Sequence, residues 1–334
     1  MESGFILLLL AIVLSYIYAF VGGFTDAANA IATSVGSRAL SPMTAVLMAG
    51  VLEILGALTG TAVALTIGKG IVALDLISLS TVVAALAGTM VWSLFTYYLG
   101  IPVSETHGLI GAVVGASLAM AGTEVILWAG LAKVLIAIVA SPLLGFAGGA
   151  VLMRMIYSFW KSGPARKMTL IFKNLQRFSA AFMAFSHGRS DAQKPMGILV
   201  MALALHFHWE DPHVPLWVIL TIRLAAGLGV AYGGWRIIKT LGMKLAPLAP
   251  EQGFAAETSA ACGLQLASVF GIPVSTTQII TSSTVGAGVA RRFSSVRWGV
   301  ALDIVLSWIL TLPTTVAPGW AFNRLFCLIF SGAA

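Results

Sequence analysis

Long apolar runs alternate with short polar interruptions along this chain, and the period of the alternation is the thickness of a bilayer, not the pitch of a strand. Runs of about 20 apolar residues, enough to span a membrane as helix, fall at 5–24, 44–67, 75–99 and 125–153, and again at 178–205, 216–237, 254–270 and 298–322. Two shorter stretches, 102–120 and 273–290, are rich in Gly, Ser and Thr and predict broken or re-entrant elements enclosed by protein, because irregular backbone is not tolerated against lipid. The pattern predicts an all-α polytopic membrane protein with five membrane segments in each half.

The first run is followed by FVGGFTDAANAIATSVGSRALSP at 20–42, which places Asp26, Asn29, Thr25, Thr33 and Ser34 where apolar residues would be cheapest. A charge near the bilayer centre costs on the order of 3 kcal/mol on insertion scales, so Asp26 is expected in a protein-lined or watery site, at an interruption of the helix. The arrangement recurs as AFSHGRSDAQKPMG at 184–197, where Asp191 stands 165 positions after Asp26. A second pair, GIPVSETH at 100–107 and GIPVSTTQ at 271–278, recurs 171 positions apart (102 to 273). Two unrelated motifs in the same order at nearly one spacing indicate a duplicated unit. The domain plan is a first membrane repeat at 1–153, a basic loop at 154–177 and a second repeat at 178–334. An odd number of segments per repeat inverts the second half, the plan of secondary transporters that bind near the midplane at interrupted helices.

Composition narrows the picture further. Hydrophobic residues are 59% and charged residues 9% of the 334, which excludes a soluble domain. The net charge of +7 does not form a nucleic-acid face: Arg154, Lys161, Arg166, Lys167, Lys173 and Arg177 cluster in a stretch without Asp or Glu, the positive-inside signature of a cytoplasmic loop. The acidic, His-containing segment 206–215 then falls outside and Arg236, Lys239, Lys244, Arg291 and Arg292 inside, with Lys69 and Arg324 against the trend. Both termini are expected outside, and the run from Phe5 reads as a retained span, not a removable signal. Cys262 and Cys327 sit in apolar segments and read as small buried hydrophobes.

Each motif suits one charge. Pro followed by Ser104, Glu105 and Thr106, or by Ser275, Thr276 and Thr277, sets hydroxyls and free N–H groups at the positive end of a helix, which suits a tetrahedral oxyanion. Asp26, Asn29, Thr33, Asp191 and Gln193 supply oxygens for a small cation, or a carboxylate for a proton. One carboxylate per half is few for a closed divalent site, so no metal site or cofactor is expected. Glu257, His107 and Gln278 lie beside these motifs as supporting residues. Glu53 and Asp303 are expected in interhelical hydrogen bonds, His187 in a proton relay or donating to a carbonyl, and His206, His208 and His213 on the surface.

These residues resemble the inorganic phosphate transporter family, of the bacterial low-affinity permease type, through GFTDAANAIATSVGSRALSP, IPVSETHGLIGAVVGA, FSHGRSDAQKPMG, GGWRIIKTLG, QGFAAETSAA and GIPVSTTQ in order. The resemblance implies a symporter importing inorganic phosphate with H+ or Na+, or phosphate complexed with a divalent metal, as a homodimer in the bacterial cytoplasmic (inner) membrane. This chain departs from the family pattern at Thr25 and Ser190, where Asn usually precedes each Asp, at Arg189 and at Gln278. Arg189 has three readings: an anion contact, a partner for Asp191, or a side chain directed away. The competing functions are a sulfate permease on the same scaffold, a passive anion channel, and an intramembrane hydrolase with Asp26 and Asp191 as its dyad.

Overall fold

The computed structural model describes residues 2–160 and 164–329. Among these, thirteen α-helices run from α1 (Glu2–Gly36) through α2 (Pro42–Gly56), α3 (Ala62–Gly70), α4 (Leu79–Leu99), α5 (Glu105–Ala121) and α6 (Trp128–Phe159), then α7 (Ala165–Asp191), α8 (Gln193–Phe207), α9 (Leu216–Tyr232), α10 (Trp235–Lys239), α11 (Pro250–Val269), α12 (Thr276–Arg291) and α13 (Trp298–Ile329). No strand is present among them, only an isolated bridge between Val72 and Ile126. Six helices are long and apolar enough to cross a membrane, or seven if the bent pair formed by α9 and 235–244 counts as one span. Their outward faces carry Val13, Ile17, Ile136, Val139, Leu143, Ile309 and Leu310, all exposed, as a lipid-facing surface requires.

Several expected boundaries move, each for an identifiable reason. Helix α1 continues through Asp26 to Gly36 without an interruption. The segment is Ala-rich and free of proline, and Thr25 Oγ1 returns its hydrogen bond to Val21 O, 2.9 Å away, so polar side chains do not break the backbone ladder. In the second copy the helix does break at Asp191, because Pro195 has no N–H for the carbonyl four residues back. The run at 44–67 divides into α2 and α3 around Gly60 and Thr61. The run at 216–237 divides at Gly233, whose φ of +83° suits only glycine comfortably. Residues 154–177 are not a loop: Arg154 belongs to α6, and Arg166, Lys167, Lys173 and Arg177 belong to α7, while Lys161 lies outside the described residues. Cys262 is exposed and Cys327 half-buried, which corrects the buried reading. Asp303 is exposed on α13 and makes no interhelical hydrogen bond among the described residues. Lys69, against the charge trend, lies 2.7 Å from Asp211 of the acidic segment.

Packing pairs the two halves of the chain with each other. The last helix of each half lies across the PVS helix of the other: α5 packs on α13, and α12 on α6. At these crossings the backbones touch through glycine at equivalent positions. A Cβ on Gly115 would strike Val316 O and one on Gly286 would strike Phe146 O, while Gly149 faces Ser283 O and Gly319 faces Ala112 O. Close approach through small residues is how membrane helices associate without a hydrophobic driving force. The two halves are thereby interleaved, and motifs distant in sequence meet in the interior.

Candidate functional site

The residues that converge come from six helices. Asp26 and Asn29 stand one turn apart on α1, so Asn29 Nδ2 donates to Asp26 Oδ1 at 2.9 Å. Asn29 also donates to Thr277 Oγ1 at 2.9 Å, and Thr277 Oγ1 donates to the same Asp26 oxygen at 3.3 Å. Thr276 Oγ1 donates to Asp191 Oδ2 at 3.2 Å. Both motif aspartates therefore sit at the N-terminus of α12, whose dipole and hydroxyls favour negative charge.

Lys194 completes the pair. It follows Asp191 by three residues across the Pro195 break, and its Nζ lies 2.9 Å from Asp191 Oδ1 and 3.6 Å from Asp26 Oδ2. The side chain is 4% exposed, so its ammonium has exchanged water for the two carboxylates. On the far side of Asp191, His187 Nε2 lies 3.1 Å from Oδ2, and His187 Nδ1 lies 2.9 Å from Glu53 Oε1 on α2. A neutral imidazole donates from one nitrogen only, so a row with carboxylates at both nitrogens needs one more proton on the ring or on a carboxylate. The ligand atoms of Asp26, His187 and Asp191 all lie within 4.8 Å of one another, a spacing that would suit a metal ion, but the Lys194 ammonium occupies that corner.

The site borders a cavity of about 20 Å³ lined by Tyr18, Gly22, Asp26, Glu53, Glu105, His187, Asp191 and Lys194, room for one water or one small ion. Glu105 enters it from α5 with its oxygens held by Thr25 Oγ1 at 3.2 Å and Ser93 Oγ at 2.5 Å. A second buried carboxylate, Glu257 on α11, accepts from Thr33 at 2.6 Å, Gln176 at 3.0 Å and Ser179 at 2.5 Å.

The structure thus brings together Asp26, Asn29, Asp191, Thr276 and Thr277, and sets Glu105 beside them. Other expected residues take different partners. Gln193 turns away: its Oε1 accepts from Val63 N and Ala64 N at 2.8 and 3.2 Å, satisfying the start of α3. Ser104 and Ser275 cap α5 and α12 by accepting from His107 N and Gln278 N, each at 3.2 Å. Thr106 donates to Val274 O at 3.1 Å, which joins the two PVS elements directly. Thr33 serves Glu257, not the aspartates. Both nitrogens of His107 and Oε1 of Gln278 are buried without a hydrogen-bond partner. Arg189 does not pair with Asp191: its Nη1 donates to Gln265 Oε1 at 2.7 Å. Sequence reasoning missed Lys194 altogether, although a lysine three residues after a membrane aspartate in an otherwise apolar run was a visible signal.

Comparison with known proteins decides the family. The model of the phosphate transporter family matches residues 22–319. The chain belongs to the phosphate transporter family. Among its relatives, proteins described as "probable low-affinity inorganic phosphate transporter" are 39% identical over 322 residues in Mycobacterium leprae (96% of this chain, 78% of the relative) and 38% identical over 333 in Bacillus subtilis (99% and 100%). A Rhizobium meliloti protein of the same description is 41% identical over 311 residues (92% and 93%). A solved structure titled "The sodium-dependent phosphate transporter" superposes with a TM-score of 0.87 at 27% identity, covering 97% of this chain and 99% of that one. Members of the phosphate transporter family are transporters and not enzymes, so the aspartate pair is no hydrolytic dyad.

Proposed function

We propose that this chain is a secondary active symporter importing inorganic phosphate across the bacterial cytoplasmic membrane, coupled to H+ or Na+, with the second half inverted relative to the first and two copies forming a homodimer. The observation that carries the reading is the meeting of Asp26 and Asp191 from opposite halves at the N-terminus of α12, against Thr276 and Thr277. That helix end has the donors an oxyanion needs, and here two carboxylates use them. Phosphate and the carboxylates compete for the same hydroxyls and repel each other at this depth. Lys194 offsets one of the two charges, and anion entry is favoured when a further H+ or Na+ offsets the rest, which makes cation and phosphate uptake interdependent.

In this reading Ser104, Thr106, Ser275, Thr276 and Thr277 contact phosphate as the PVS elements separate, and His107 and Gln278 offer the partnerless polar atoms beside them. Glu105 lines the cavity and each of its oxygens retains a free lone pair, which suits the O–H of a monoprotonated phosphate. Asp26, Asn29 and Asp191 serve the cation. Glu257 and Thr33 hold α1 to α11 as support.

A sulfate permease would use the same donors but has no need of Glu105. Uptake of labelled phosphate into proteoliposomes, with pH and Na+ gradients imposed separately, is expected to fall less than about twofold under a hundredfold excess of sulfate. Equal competition by sulfate makes the protein a sulfate permease instead. Uptake indifferent to both gradients makes it a channel.

A further inference from the structure

We infer that Lys194 is a built-in cation: its ammonium stands where a mobile coupling cation would bridge Asp26 and Asp191, so that phosphate uptake by this chain needs no Na+ at that position. The inference rests on the transport reading above and narrows its coupling ion.

The geometry is specific. Lys194 Nζ is 2.9 Å from one aspartate and 3.6 Å from the other, and these two carboxylates come from the two repeats. The groups facing it are acidic on most sides: Asp26 with Tyr18 on α1, Glu53 on α2, Glu105 on α5 and Asp191 on α7, with His107 and His187 as the imidazoles. Arg189, the nearest other basic side chain in sequence, is engaged with Gln265. Lys194 is therefore the fixed positive charge of the cluster.

A second monovalent cation at the same corner would sit about 4 Å from the ammonium, where repulsion at an effective dielectric of about 20 weakens binding roughly a thousandfold. The lysine cannot leave with the substrate, because its stem is buried in α8. Its charge serves every turnover without being transported. Removing it leaves the carboxylates of Asp26, Asp191 and Glu105 around a water-sized cavity, an oxygen-rich space of the kind Na+ occupies. The relative titled as sodium-dependent shares the scaffold at 27% identity, which is distant enough for the cation preference to differ.

The test uses wild type, Lys194→Ala and Lys194→Arg, purified and reconstituted, with labelled phosphate uptake measured at one fixed pH in NaCl or in choline chloride of equal ionic strength. Wild type and Lys194→Arg are expected to differ less than about twofold between the two salts, whereas Lys194→Ala loses uptake in choline and regains at least about fivefold in NaCl, a coupling at the lower end of the usual range. Na+-stimulated uptake by wild type overturns the inference, as does a Lys194→Ala protein that answers Na+ no more than wild type. Melting in detergent against titrated NaCl gives an independent arm: Lys194→Ala is expected to gain a Na+-specific stabilisation that wild type lacks, and the absence of that gain also overturns it. Should wild type take up no phosphate under any gradient, the transport reading fails, and the melting arm still decides the role of Lys194.

Discussion

Replacing Asp26 or Asp191 with Asn is expected to reduce phosphate uptake at least about a hundredfold, equivalent to about 2.7 kcal/mol, while the two substitutions separate in their effect on stability. Asn keeps the shape and one acceptor oxygen, so the hydroxyls of Thr276 and Thr277 remain partnered in both. What disappears is the charge. Asp191 has Lys194 at 2.9 Å, His187 at 3.1 Å and Thr276 at 3.2 Å, so its neutralisation leaves the ammonium only Asp26, 3.6 Å away, and takes the charge from the end of the histidine row. Breaking a buried ion pair from one side costs about 3–5 kcal/mol, and Asp191→Asn should melt well below wild type. Asp26 is 3.6 Å from the lysine and is otherwise held by neutral donors, so Asp26→Asn should melt closer to wild type while transporting equally poorly. Uptake assays paired with thermal melting in detergent check both. Full transport in both variants removes the aspartates from the cation's path.

The order in which these residues assemble explains what the chain disclosed. Both motif pairs keep their spacing in the sequence, and glycines recur at the same offset: Gly100 and Gly271, which follow the ends of α4 and α11, have φ values of +70° and +65°. The convergence of Asp26 with Asp191 followed from two buried charges needing one protein-lined place. Three things were not legible. Local polarity does not report backbone continuity, so the carboxylate in α1 was mistaken for an interruption, whereas the true break after Asp191 was set by Pro195. Apolar neighbours in sequence do not by themselves imply burial, and Cys262 on α11 is exposed. Gln193 is expected as a cation ligand beside Asp191, but with Pro195 bending the second copy it reaches the start of α3 instead, and at the 165-residue spacing it is Lys194 that stands where Asn29 does. Lys194 follows from the same bend, since the start of α8 carries the lysine back toward Asp191.

Adding a single methyl group at Gly115 or Gly286 is expected to lower stability, where the same change at an open helix position raises it. Gly→Ala within a helix ordinarily gains up to about 1 kcal/mol from backbone entropy. At Gly299, where an added Cβ meets nothing within 4 Å, that gain should appear as an unchanged or slightly raised melting temperature. At Gly115 and Gly286 the same atom collides with Val316 O and Phe146 O, which are backbone and cannot rotate aside. The helices must separate, and overpacking of this kind costs about 1–3 kcal/mol before any loss of the contacts around it. Because α5 and α12 each carry their PVS turn at one end and their glycine crossing along the body, separation also displaces Thr106 from Val274 and the Thr276–Thr277 pair from the aspartates. Gly115→Ala and Gly286→Ala should therefore lose stability by similar amounts, as equivalent positions of a duplicated unit, and lose uptake in parallel. Thermal melting of the three alanine variants in one detergent reads the contrast, and a Gly286→Ala protein as stable as Gly299→Ala would show that the crossing is looser than its geometry states.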